Sequence, residues 1–133
     1  MSNQTINPWT WQEAFGFSQA VLVESPRQTL YVAGQGPIDP EGGLVAEGDM
    51  AGQAAQTMDN VETVLAAGGM TLADVVRYDV HTTSLEDYFT QGAEQVVKRF
   101  AQAGNIPAGG IACQVSALAV PGMAIEISVI ASR

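Results

Sequence analysis

Residues 76–87, Val76-Arg77-Tyr78-Asp79-Val80-His81-Thr82-Thr83-Ser84-Leu85-Glu86-Asp87, hold two periodicities back to back. Val76, Tyr78, Val80 and Thr82 alternate with Arg77, Asp79, His81 and Thr83, the period of two that marks a half-buried strand. Ser84 and Asp87 then give the pattern of a capping box. Leu85, Tyr88, Phe89, Val96, Val97 and Phe100 continue as a helical stripe that stops at Gly104-Asn105-Ile106-Pro107. A strand feeding directly into an amphipathic helix predicts a layered α-and-β architecture, and the flanking segments complete it.

Upstream, Asp49 is an N-cap for a helix whose apolar positions are Met50, Ala54, Met58, Val61 and Leu65, and Gly68-Gly69 supplies its stop. Thr71-Leu72-Ala73-Asp74 reads as a capping box over one short turn. Before that helix, Phe17 to Glu24 alternates and Thr29 to Ala33 is a β-rich run. With Ser25-Pro26-Arg27-Gln28 as the turn, the two predict a hairpin. Gly34-Gln35-Gly36-Pro37 and Asp39-Pro40-Glu41-Gly42-Gly43 break regular structure, and a G-x-G with no helix start behind it is not a phosphate loop. Trp9 and Trp11 are expected to pin the otherwise polar arm of residues 1–15. Ile111 to Val120 and Met123 to Ala131 predict two final strands around Pro121-Gly122.

The order is β-β-α-β-α-β-β: an α+β chain, one domain over residues 1–133, with two helices on one face of a mixed sheet. Its other sheet face is left bare, and self-association is the simplest cover. The 133 residues carry a net charge of -9, and the five basic side chains, Arg27, Arg77, Lys98, Arg99 and Arg133, are scattered. That argues against a nucleic-acid groove, which needs clustered Lys and Arg. Cys113 is the one cysteine, so neither an internal disulfide nor a thiolate metal cluster can form. No apolar run approaches the roughly 18 residues of a membrane span, so no membrane partner is expected. Met1-Ser2-Asn3-Gln4 lacks the start of a signal peptide, which makes the cytoplasm the expected compartment.

Several stretches carry a family resemblance: Gly16-Phe17-Ser18-Gln19-Ala20, Leu30-Tyr31-Val32-Ala33-Gly34-Gln35, Pro37-Ile38-Asp39-Pro40, Gln56-Thr57-Met58-Asp59-Asn60-Val61, Ile106-Pro107-Ala108 and Ile125-Glu126-Ile127. In this order they resemble the Rid/YjgF family, whose best-known members are reactive intermediate deaminases. The resemblance implies a chorismate-mutase-like fold of the bacillus type. It also implies a homotrimer whose sheets form a barrel, with small-molecule clefts at the subunit boundaries. In the deaminases an arginine holds the substrate carboxylate while a positioned water attacks an imine carbon.

This chain departs from that pattern. Where the arginine is expected, Gly109-Gly110-Ile111 follow Pro107-Ala108. Counting forward from Pro107 puts the position at Gly109, and counting back from Glu126 puts it at Gly110. Gly110 is preferred, because Ile111, Cys113 and Val115 then face the core and Ala112 and Gln114 the cleft. The family's pocket tyrosine corresponds to Phe17, a helix asparagine to Gly92, and the glutamate that orients water to Ser128. The cleft that remains comprises Phe17, Gly34, Gln35, Tyr88, Gly110, Ala112 and Gln114 as ligand-binding positions, with Glu126 and Ser128 as catalytic candidates. Aromatic and neutral-polar with one carboxylate, it suits a neutral, cationic or aromatic ligand better than a carboxylate.

Each candidate has a plain structural alternative. Glu126 is either the cleft base or a hydrogen-bonding group across the trimer. His81 is a general base or an ordinary solvated or interface histidine, and no second His or Cys stands at ligand spacing, so neither metal nor cofactor is expected. Cys113 is a nucleophile only if exposed and acidified; otherwise it packs. Three functions remain open. One is an arginine-less Rid hydrolase acting on an imine, enamine or related metabolite, and another a non-catalytic trimer binding a metabolite or partner. The third, an endoribonuclease, rests only on a common name for the family and is disfavoured by the acidic charge.

Overall fold

Asp49 starts the longest helix as the sequence predicts, its carboxylate accepting the Gly52 N–H at 3.0 Å. In the computed structural model, which describes residues 3–133, the elements in chain order are β1 (Gln4–Ile6), β2 (Ala20–Leu22), β3 (Thr29–Gln35), α1 (Met50–Ala67), β4 (Val75–Thr82), α2 (Leu85–Asp87), α3 (Ala93–Gln102), β5 (Ala108–Gln114) and β6 (Ile125–Ser132). A π turn over Tyr88–Gly92 joins α2 to α3, and together they are the second helix that the stripe predicts. The α+β class and the order β-β-α-β-α-β-β hold, with the short β1 added in front. The box at Thr71–Asp74 forms in full. At Ser84 only half forms: its hydroxyl accepts the Asp87 N–H, but its own N–H goes to the Thr82 hydroxyl.

The main sheet has the strand order β3-β6-β4-β5. β6 runs antiparallel to both neighbours, whereas β5 runs parallel to β4. That parallel pair is joined across α2 and α3, because a parallel return needs a crossover rather than a tight turn. The two final strands therefore do not pair around Pro121-Gly122. β5 ends at Gln114, the Val115 N–H closes onto the Thr82 carbonyl at 2.8 Å, and the chain crosses to put β6 on the other side of β4. The expected hairpin of β2 and β3 is also absent. β2 pairs with β1 in a separate ribbon, while the Arg27 and Gln28 amides both donate to the Arg133 carbonyl and steer β3 onto the end of β6.

Both helices cover one face of the sheet. Ala54, Met58, Val61 and Leu65 of α1 and Val96 and Phe100 of α3 are buried against Tyr78, Val80, Ile125, Ile127 and Val129. Burial of such side chains contributes roughly 1.5–3 kcal/mol each, and it sets the parity of β4 and β6. Arg99 clamps α3 to α1 by donating to Asp59 at 2.6 Å and to Glu62 at 2.9 Å. The opposite face is bare and carries Tyr31, 76 % exposed, beside Glu126, Ser128 and Ile130 of β6. The tryptophans do not pin the arm, for Trp9 is 59 % and Trp11 57 % exposed. Buried Gln12 and Ser18 do so instead: the Ser18 hydroxyl donates to the Ile106 carbonyl at 2.6 Å and its amide to that of Pro107 at 2.9 Å.

Candidate functional site

β5 is an edge strand whose first residues are covered by the arm. Ser18 bridges to Ala108, and its carbonyl accepts the Gly109 N–H at 3.1 Å. This lays Phe17 over Gly109, so closely that an added Cβ there would lie 2.7 Å from the ring. Trp11 meets Phe17 edge-on, with centroids 5.9 Å apart. Between arm, α3 and β5 opens a cavity of about 590 Å³. Phe15, Phe17, Tyr88 and Phe89 give it aromatic walls, Tyr78 and Val80 line it from β4, and the stretch Gly109–Ala112 forms the strand side. Glu94 is the one Asp or Glu in its lining, which holds no Lys, Arg or His. Burial pushes the Tyr78 hydroxyl up to about 12. Burial, with the neighbouring Tyr78, raises Tyr88 further still. Both phenols are therefore neutral across the physiological range.

Opposite β4, the edge strand is bulged. Tyr78 pairs with Gly109 and Val80 with Ala112, so three steps on β5 oppose two on β4. Asp79 holds the extra residue by accepting the Ile111 N–H at 2.7 Å. Arg77 in turn donates to both oxygens of Asp79, at 3.0 and 3.3 Å. Burial pushes the Asp79 carboxyl up. The hydrogen bonds from Arg77 and Ile111, with the charges of Arg77 and His81, outweigh that and hold it below its ordinary value. The same hydrogen bond raises Arg77.

The bulge reverses the parity expected for β5, since one extra residue turns the strand over. Ala112 stands opposite Val80 and Gln114 opposite Thr82, on the helix side, whereas Cys113 stands opposite His81 on the bare face rather than in the core. Gly109 faces Phe17. Gly110 faces the ion pair: an added Cβ would overlap Asp79 and lie 2.7 Å from Arg77 Nε. The space beside Gly110 is thus occupied from β4. Gln114 spends its amide oxygen on the Leu85 N–H at 3.0 Å, at the start of α2.

A second group lies across the sheet. Ile125, Ile127 and Val129 are buried, which turns Glu126 and Ser128 to the bare face. Glu126 rests against Gly34, where an added Cβ would overlap its carboxylate, at a bulge of β3 between Val32 and Gln35. The Gln35 side chain donates to the Ala33 carbonyl at 3.1 Å. His81 stands in register between Cys113 on one side and Glu126 on the other. Among the described residues no group of three or more His, Cys, Asp and Glu is disposed to hold a metal ion, and no helix is long and apolar enough to cross a membrane.

Phe17, Tyr88, Gly110 and Ala112 thus meet at one cavity, while Glu126 rests against Gly34 and shares the bare face with Ser128, and none of these three lines the cavity. Sequence reading passed over Phe15, Glu94 and the Arg77–Asp79 pair. A Gly-Gly step inside a strand is a bulge signal, but nothing in the sequence marks Glu94 apart from any polar helix position.

The family model described as Endoribonuclease L-PSP matches residues 11–133. The chain is 38 % identical over 115 residues to the 2-iminobutanoate/2-iminopropanoate deaminase of Rattus norvegicus, covering 86 % of this chain and 78 % of that protein. It is 36 % identical over 132 residues to protein DfrA of Myxococcus xanthus, covering 98 % and 96 %. A crystal structure of a conserved Rid family protein from Yersinia pestis superposes with a TM-score of 0.83 at 33 % identity, over 100 % of both chains. The YjgF gene product of E. coli gives 0.70 at 29 % identity, over 88 % of this chain and 87 % of that one. Sequence and fold agree along nearly the whole length, and the chain belongs to the Rid/YjgF superfamily.

Proposed function

We propose that the chain forms a homotrimer with small-molecule clefts between subunits. There it hydrolyses an imine, enamine or related metabolite without a carboxylate-binding arginine. One observation carries this reading: the cavity beside Phe17 and Tyr88 has no cationic residue in its lining. Assembly through the bare face would set Glu126 and Ser128 of one subunit against the Phe17–Tyr88 cavity of the next. In that cleft Glu126 takes a proton from water, Ser128 orients it, and the water oxygen adds to the C=N carbon as the nitrogen is protonated. Collapse of the carbinolamine releases the amine and leaves a carbonyl. Similarity to a 2-imino acid deaminase supports the reaction class.

A coupled amino-acid oxidase assay tests the missing cation. A charge-assisted arginine contact contributes roughly 1.5–3 kcal/mol, so 2-iminopropanoate and 2-iminobutanoate are hydrolysed ten- to more than a hundredfold more slowly than by an arginine-bearing Rid deaminase. Equal rates refute the reading. The departures at Phe17, Gly92 and Ser128 favour, as the second reading, a trimer that binds a metabolite or partner without turnover. Hydrolysis of RNA is least supported, given the net charge of -9.

A further inference from the structure

We infer that the cavity selects a cation: an amine or iminium carried on an apolar or aromatic body, with Glu94 as the residue that sets the preference. This rests on the reading of the cavity as the ligand site and names the charge class it takes. Five aromatic rings, from Phe15, Phe17, Tyr78, Tyr88 and Phe89, line the space, and the faces of such rings attract cations. Glu94 supplies the one carboxyl side chain of the lining. The hydroxyls of Tyr78 and Tyr88 stay neutral and able to accept an N–H.

No Lys, Arg or His lines the cavity. Arg77, behind the Gly110 wall, faces away from the side on which Tyr78 lines the cavity, and it is neutralised by Asp79. Arg99 is spent on Asp59 and Glu62. The overall charge of -9 raises the local concentration of cations and repels carboxylates before contact. Walls, counter-charge and long-range field therefore agree in sign.

The test uses three probes that share one ring and differ in head group: benzylamine, benzyl alcohol and benzoate, titrated onto the assembled protein at neutral pH. Binding is followed by ligand-observed NMR and by the fluorescence of Trp11, which touches Phe17. Benzylamine should bind about five- to tenfold more tightly than benzyl alcohol, with benzoate weakest. Glu94→Gln should weaken benzylamine about threefold and leave benzyl alcohol unchanged, the modest size reflecting the exposure of Glu94. Glu94→Lys should bring benzoate ahead of benzylamine. If benzoate equals or exceeds benzylamine in the unmodified protein, or if Glu94→Lys leaves the order unchanged, the charge preference is overturned while the cavity stands as a ligand site. If none of the three binds, the cavity reading falls and takes this inference with it.

Discussion

The Asp79 carboxylate accepts the backbone N–H of Ile111 at 2.7 Å, and this one bond ties the middle of β4 to the bulge of the edge strand. Because the bulge turns Gly109 toward Phe17 and Gly110 toward the ion pair, the bond decides what the strand presents to the cavity. Arg77 reinforces it by keeping Asp79 ionised.

Asp79→Ala removes that tie, and the variant should lose about 1–2 kcal/mol of stability in urea denaturation. The sign of its pH dependence follows from a carboxyl held low in the folded state. The contribution is present above about pH 4, the unfolded value, and is lost as pH falls through the lowered one. The stability gap between Asp79→Ala and the unmodified protein should therefore be widest near neutrality and close in acid. A gap that widens in acid refutes the assignment.

Gly110→Ala should also destabilise by about 1 kcal/mol, since the new methyl group displaces Asp79 from Ile111. The two sites share one interaction, so the Gly110→Ala/Asp79→Ala double variant should cost less than the sum of the singles. Strict additivity in a double-mutant cycle would show that Gly110 and Asp79 do not communicate.

Gly34→Ala pushes on the Glu126 carboxylate from the neighbouring strand. It should cost about 1–3 kcal/mol as an overpacking change, and Glu126→Ala in the same chain should recover most of that. Thermal melts of the two singles and the double decide it; a loss that persists in the double variant places the strain elsewhere.

Glu126→Gln keeps the shape of the side chain and removes its charge. Light scattering should return a trimer mass for both proteins, while turnover of the neutral or cationic imine substrate falls at least a hundredfold, a typical general-base contribution. Retained turnover with a weakened trimer would assign Glu126 to assembly instead.

Much of this architecture is legible in the chain. Asp49 and Gly68-Gly69 bound α1 because cap and stop are local events, and the alternation around Tyr78 and Val80 shows which face of β4 is buried. What was misread depends on distant partners. The parity of β5 hangs on a carboxylate in another strand that captures the Ile111 amide, and no local pattern records it. The partner of β3 is likewise chosen by a carbonyl at Arg133, some hundred residues away. The site was legible to the same degree. Phe17, Tyr88, Gly110 and Ala112 come together at the cavity, but Glu94 lines it only because α3 packs beside β5.

The interior position of β6 bears on how the chain is made. β3 and β4 touch each other only through β6, so neither has its shared partner until residues 125–132 leave the ribosome. At roughly 5–20 residues per second, β3 waits several seconds in the nascent chain with an apolar face and an open edge. The helices can form during that interval, but the sheet closes only after the last strand emerges. The interval is when a chaperone would matter most, and a stop codon between Gln114 and Ile125 would leave β3 without its sheet partner and β4 paired on one side only.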